Sequence, residues 1–148
     1  MRARDLVAPF PVVGLDTPAI EAARLLAGQD LPGLIVVDRR GRPFTVLPGT
    51  EVLRMAIPRY CQDDPTLARV IDEAAADLFL RELGERTVAG CLPEQHRDLP
   101  VVDPDATVLE IAALMARSHT PLVAVVDPGA GLLGAVTLDA LLDRMFAA

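Results

Sequence analysis

Two histidines, two cysteines and two acidic pairs are the residues of this chain whose types could do chemistry outright: His96, His119, Cys61, Cys91, Asp63-Asp64 and Asp72-Glu73. A thiolate or an imidazole can serve as nucleophile, base or metal ligand, and adjacent carboxylates can hold a divalent cation. Their spacing argues against each use. Cys61 and Cys91 have no CxxC partner, and no His, Cys and carboxylate set falls at metal-ligand spacing. No Gly-x-Ser-x-Gly, HExxH or Walker-type phosphate loop occurs. His119 falls at the end of a predicted helix, where an imidazole caps carbonyls or faces water, and His96 lies in a charged loop. The acidic pairs read as a solvated cap and a helix face. The expectation is a protein that is not an enzyme, with no metal and no required cofactor.

The elements that position these residues must fit in 148 residues, enough for one compact domain or two small ones in tight contact. Hydrophobic residues make up 51% and charged residues 24%, an apolar balance that predicts a partner interface taking up part of the excess. The net charge of −7, with 14 scattered basic residues, argues against nucleic acid, whose binding draws on a basic face. Aromatics at 3% with no Trp leave few platforms for stacking bases. The start of the chain, Met1 to Leu6, has no apolar signal core, and two unpatterned cysteines suit a reducing compartment, so a cytoplasmic location is expected. The longest apolar run, Pro121 to Val126, falls far short of the ~18 residues of a membrane span, so no direct membrane insertion is expected.

An internal repeat organises the chain. Shifted by 89 positions, the sequence aligns with itself without a gap, and 13 of the 45 positions from Pro11 to Met55 are identical. Pro11-Val12-Val13 matches Pro100-Val101-Val102, Glu21 matches Glu110, and Val36-Val37-Asp38 matches Val125-Val126-Asp127. Each copy predicts the same elements: an extended entry, then a helix over Pro18 to Gln29 or Thr107 to Ser118, whose apolar residues recur at helical spacing. Asp16, Thr17, Asp105 and Thr107 are cap formers for these helices. A short apolar run follows, Leu34 to Val37 or Val123 to Val126, which fits a strand covered on both faces. After a turn come a second strand, Pro43 to Leu47 or Leu132 to Thr137, and a closing helix, Thr50 to Ile57 or Leu138 to Phe146. The order is β-α-β-β-α, twice. Between the copies, residues 58–65 read as loop, and Thr66 to Leu83 as an extra helix with Leu67, Val70, Ile71, Ala74 and Leu78 on one face. Arg2 to Val7 and Thr87 to Leu92 read as two similar lead-in helices.

This pattern resembles the cystathionine-β-synthase-type (CBS) domain pair, or Bateman module. The best match is the run from Val102 to Met115, continuing through Val125-Val126-Asp127 and Leu132-Leu133-Gly134-Ala135-Val136-Thr137. The first copy keeps Asp16, Glu21-Ala22-Ala23 and Val36 to Arg42. The resemblance implies an α/β (α+β) fold of two tandem β-α-β-β-α motifs, related by a pseudo-twofold axis, with the extra helix inserted between them. The boundaries would be 1–57 for the first motif, 58–86 for the linker with its helix, and 87–148 for the second. It further implies a homodimer formed through helices and a cleft that takes an adenosine compound: AMP, ADP, ATP or S-adenosylmethionine.

In nucleotide-binding members of that family, the turn from the last strand into the last helix carries Gly-x-x-Thr/Ser-x-x-Asp, whose hydroxyl and carboxylate reach the ligand. A carboxylate can accept both hydroxyls of a ribose, and a helix N-terminus favours an anion. Here Gly134 and Thr137 are present in the second copy, but Ala140 holds the carboxylate position and Asp139 sits one residue early. In the first copy Glu51 holds the carboxylate position and Pro48 replaces the hydroxyl, with Thr50 nearby. The implied ligand contacts are Val13, Leu47, Thr50 and Glu51 in one copy and Val102, Val136, Thr137 and Asp139 in the other. The plainer reading makes Thr50 and Thr137 helix caps and Glu51 and Asp139 first-turn acids. Where relatives grip phosphate with His or Arg, this chain has Pro32-Gly33 and Pro121-Leu122; Arg54, Arg144, Arg39, Arg40 or Arg42 could supply the charge instead, with surface solvation the plainer role of each.

Two functions follow. A ligand-sensing regulatory module would bind an adenosine compound and control a partner enzyme or transporter. A structural module without ligand would dimerise and dock on a partner. The incomplete motifs favour the second, and Glu51 with Thr137 the first.

Overall fold

The computed structural model describes residues 1–29 and 31–147. The expected elements form twice in the expected order. The first lead-in is a single turn, α1 (Ala3–Leu6), followed by β1 (Val12–Gly14), α2 (Ala19–Gln29), β2 (Leu34–Val37), β3 (Pro43–Leu47) and α3 (Gly49–Ala56). The insert contributes α4 (Arg59–Asp63), a 3-10 segment (Pro65–Val70) and α5 (Glu73–Leu83). The second copy has α6 (Val88–Cys91), β4 (Val101–Val102), α7 (Val108–Ser118), β5 (Leu122–Asp127), β6 (Gly131–Thr137) and α8 (Leu138–Phe146). The strands make two three-stranded sheets, β1-β2-β3 and β4-β5-β6. In the second sheet β4 runs parallel to β5, with α7 as the crossover such a pair requires, and β6 returns antiparallel.

The repeated residues explain the repeated geometry. In the first copy the Asp38 carboxylate accepts from the N–H groups of Arg40 at 2.8 Å and Arg42 at 3.0 Å. The Arg42 N–H is the main cause holding the Asp38 carboxyl below its ordinary range. In the second, Asp127 accepts from Gly129 at 2.7 Å and Ala130 at 3.3 Å. Gly41 and Gly131 close the two turns at φ of 78° and 79°, where glycine avoids the Cβ penalty. Thr107 caps α7 by accepting from the Glu110 N–H at 3.1 Å, as its type predicts. Thr17, its counterpart as a cap former, instead accepts from the Gly14 N–H at 2.9 Å. His119 ends α7 in the left-handed region at φ 54°.

The chain divides into two compact units. One comprises Met1–Val12, Ile35–Val46 and Arg97–Ala148. Its strand β5 is buried on both faces, and alternate residues serve two cores. Val123 and Val125 join Ile111, Met115 and Leu141 of the helices; Leu122 and Ala124 join Ile35 and Leu99. This is the arrangement the unbroken apolar run predicts. The lead-in α1 closes the first core: Ala3 is fully buried, and the Ala3 and Arg4 N–H groups donate to the Ala106 and Pro104 carbonyls at 2.8 and 3.0 Å. Arg4 also pairs with Asp105. Both segments that lead into the entry strands cross this unit. Ala8 exchanges backbone hydrogen bonds with Ala135 at 3.1 and 3.0 Å, and the Leu99 N–H donates to the Phe44 carbonyl at 3.0 Å. Thr45, the one buried polar side chain among the described residues, donates its hydroxyl to the Arg97 carbonyl at 2.7 Å.

The other unit comprises Val13–Leu34 and Leu47–His96. Here α3 packs against α2, α5 and α6. The second lead-in, α6, docks beside the first copy's entry: the Val88 and Ala89 N–H groups donate to the Thr17 and Leu15 carbonyls at 2.9 and 3.0 Å. The two lead-ins are thus exchanged, each seated on the other copy of the repeat.

The insert departs from expectation in two places. Residues 59–63, expected as loop, are helical because Gln62 folds back and donates its amide to the Arg54 and Ile57 carbonyls at 2.9 and 2.8 Å. The helix expected from Thr66 to Leu83 is interrupted. Asp64 accepts from the Thr66 N–H at 3.2 Å and starts the 3-10 segment, Ile71 is extended, and Asp72 caps a new helix through the Ala75 N–H at 2.8 Å. Two strong cap formers eight residues apart outcompete one continuous helix. The expected apolar face is broken as a result, and Val70 is 84% exposed.

Candidate functional site

The eight residues singled out for ligand contact divide by burial. Val13, Leu47, Val102 and Val136 are buried, with Val102 and Val136 inside the core beneath α7 and α8. Their side chains are structural, and what they can offer a ligand is backbone. Thr50, Glu51, Thr137 and Asp139 stand at the strand-to-helix turns with access to solvent.

In the second copy the Thr137 hydroxyl caps α8, accepting from the Ala140 N–H at 3.1 Å, so the plainer reading of this residue holds. Asp139 is an exposed first-turn acid. In the first copy the cap position of α3 belongs to Pro48, whose side chain has no acceptor to offer, and Thr50 lies within the first turn without a cap bond. The capping role expected of Thr50 is therefore corrected. This contrast is measurable: Thr137→Ala is expected to cost about 1 kcal/mol, the usual worth of a cap, and Thr50→Ala only a few tenths, read from urea midpoints at constant slope.

Thr50 and Glu51 line one shallow hollow of about 330 Å³ with Leu53, Arg54, Ile57 and Gln62. The Glu51 Oε2 atom is closed to water and takes no aligned hydrogen bond, although the Arg54 guanidinium stands 2.9 Å from it as an ion pair. The guanidinium compensates the charge of this oxygen, which keeps acceptor capacity for a better-aligned donor. Leu53 and Ile57, at 61% and 39% exposure, give the hollow an apolar wall. Beside it lies a second hollow of about 390 Å³, also bordered by Arg54, Ile57 and Gln62, and including Arg59 and Asp63. Gln62 contributes by its fold-back onto α3, which is invisible in a sequence segment that reads as loop. Thr50 and Arg54 stand four apart on α3, and Ile57, just past its end, is four beyond Leu53, a spacing from which a shared stripe could have been read.

The remaining groups with chemical potential are occupied or dispersed. Both cysteines are buried and free. Burial raises the Cys91 thiol above its ordinary range; Arg86 opposes that rise and Glu51 adds to it, which keeps the sulfur in its unreactive protonated form. Among the described residues no group of His, Cys, Asp and Glu could hold a metal ion. No helix among them is long and apolar enough to cross a membrane.

Comparison with known proteins agrees with this architecture. The CBS domain family model matches residues 95–147. A CBS domain-containing protein of unknown function from Kribbella flavida is 51% identical, with 99% of each chain covered and a TM-score of 0.90. The CBS domain of a CBS domain-containing membrane protein from Sphaerobacter thermophilus is 23% identical over 97% of this chain and 86% of that one, TM-score 0.72. CBSX2, a CBS-pair protein from Arabidopsis thaliana, in complex with AMP, is 20% identical over 97% of this chain and 95% of that one, TM-score 0.64. No curated protein matches the chain. Two β-α-β-β-α copies, two three-stranded sheets and a relative of this identity define the class: the chain belongs to the CBS domain family and has the CBS-pair fold.

Proposed function

We propose that the protein is a regulatory ligand-sensing module that binds an adenosine-containing ligand, AMP, ADP, ATP or S-adenosylmethionine, at the first copy's strand-to-helix turn. The observation that carries this reading is Glu51: a carboxylate oxygen withdrawn from water, without an aligned donor, at the edge of a hollow with an apolar wall. A ribose supplies two hydroxyl donors for such a carboxylate, and the base supplies an apolar face for Leu53 and Ile57. The AMP complex of CBSX2 lends support at the level of fold. The ligand would act on a partner enzyme or transporter through its unequal affinity for two states of the module. No catalytic role, nucleic-acid contact or membrane insertion is part of this reading, and a cytoplasmic location suits it.

The structural alternative, a dimerising module without ligand, is favoured by a different observation. Helix α8 exposes Leu138, Leu142, Met145 and Phe146, the last at 75%, and α7, which packs against α8, exposes Leu109 at 74%. A homodimer through this face serves both readings. Binding separates them. A ligand at 100 times its dissociation constant adds about 2.7 kcal/mol of stability. For this chain length that is a rise in Tm of roughly 5–11 °C. In a thermal-shift panel of adenine nucleotides and S-adenosylmethionine, such a rise with at least one compound is expected. A flat response to all of them at millimolar concentration would leave the structural module as the function.

A further inference from the structure

From the pairing of Glu51 with Arg54 we infer that this site selects adenosine ligands that carry a phosphate, with Arg54 as the specificity-determining residue; the inference rests on the adenosine reading above. Arg54 does two things at once. Its guanidinium stands 2.9 Å from Glu51 Oε2, on the atom a ribose would use. Its side chain also borders both hollows, the one with Glu51 and the one with Arg59. A ligand that claims Glu51 displaces the guanidinium from its carboxylate. A neutral nucleoside gives the displaced charge nothing in return; S-adenosylmethionine is a net cation whose sulfonium sits on the ribose C5′, where a nucleotide has its phosphate, and its carboxylate is at the far end of the methionine chain. A phosphate offers a bidentate partner that an arginine fork fits, and Arg59 lines the adjoining hollow with a second guanidinium. The exchange conserves charge pairing only when the ligand is anionic. Arg54 is half exposed, so it can turn from the carboxylate to a phosphate without unpacking the helix. The Gln62 amide, bound to the Arg54 and Ile57 backbone carbonyls, holds α4 and with it Arg59 at a fixed place beside this turn.

The test is calorimetric titration of the full chain with AMP, adenosine and S-adenosylmethionine, for the native protein, Arg54→Gln and Arg54→Lys. The native protein is expected to bind AMP at least about tenfold more tightly than either uncharged-tail or cationic compound, the lower end of what a charge-assisted hydrogen bond is worth. Arg54→Gln should weaken AMP by a similar factor and leave adenosine unchanged or tighter, because Glu51 is then free. Arg54→Lys should recover part of the AMP preference. A purely structural role for Arg54 would weaken AMP and adenosine together, and that result overturns the inference, as does equal affinity of the native protein for the two. If no adenine compound binds the native protein, the adenosine reading itself falls and this inference with it.

Discussion

Gly134→Val is expected to be the most damaging single substitution in the chain. Gly134 sits at φ 150°, a backbone conformation that side chains rarely accept, and a Cβ there would overlap the Ala8 carbonyl oxygen and lie 2.8 Å from the Ala8 carbonyl carbon. The obstacle is backbone, so no rotamer change relieves it. Forcing the conformation costs about 1–3 kcal/mol, and displacing packed backbone costs about 1–3 more. The sum, roughly 2–6 kcal/mol, lowers Tm by roughly 4–24 °C for a chain of this length. The loss has a place as well as a size. Ala8 exchanges both its backbone hydrogen bonds with Ala135, so the substitution should free the crossing segment from β6 and expose those amides to hydrogen exchange before the rest of the unit. A Tm within 2 °C or so of the native value, by the same conversion, would show that the segment can move aside at little cost.

Ile111→Ala is expected to cost about 2–5 kcal/mol, the range for truncating a fully buried aliphatic side chain. Ile111 is 0% exposed and meets Met115, Val123, Val125 and Leu141 where α7 and α8 lie on the second sheet. The same helix supplies its own control. Leu109, two residues away, is 74% exposed, so Leu109→Ala should leave the stability of one chain within about 0.5 kcal/mol. Urea unfolding at low protein concentration, where association does not contribute, measures both. Equal costs at the two positions would mean that α7 is rotated from the face described, and the core of the second copy would have to be rebuilt around another residue.

The fold was largely legible because each repeated residue has a local job. The shared aspartates Asp38 and Asp127 read as turn residues and are hydrogen-bonded as turn residues. The apolar runs read as strands buried twice over, and Val123 with Val125 faces one core while Leu122 with Ala124 faces another. The insert was less legible. Its apolar residues have helical spacing, but Asp64 and Asp72 each start a new segment, and cap competition is settled by tertiary contacts that periodicity does not encode. The exchange of the lead-in helices was hidden for the same reason: α1 and α6 look alike in sequence, and only the partners of their N–H groups tell which copy each serves.

At the site, Glu51 could be picked out because the family resemblance puts a carboxylate position there, whereas its environment could not. The ion pair with Arg54 follows from a three-residue helical spacing and was open to inspection in the sequence. The role of Gln62 depends on a helix where a loop was expected. The buried valines among the proposed contacts, Val13, Val102 and Val136, show the reach of a resemblance: the positions carry over, and burial decides that their side chains belong to the core.

Titration of isotope-labelled protein with AMP, followed amide by amide, addresses the proposed function at its root. The account predicts saturable shifts that begin at Thr50, Glu51, Arg54 and Gln62, and an affinity roughly 10–100-fold weaker in Glu51→Gln, the range for a hydrogen bond to a charged group. Spectra unmoved by millimolar AMP, or an affinity that Glu51→Gln leaves intact, would contradict it.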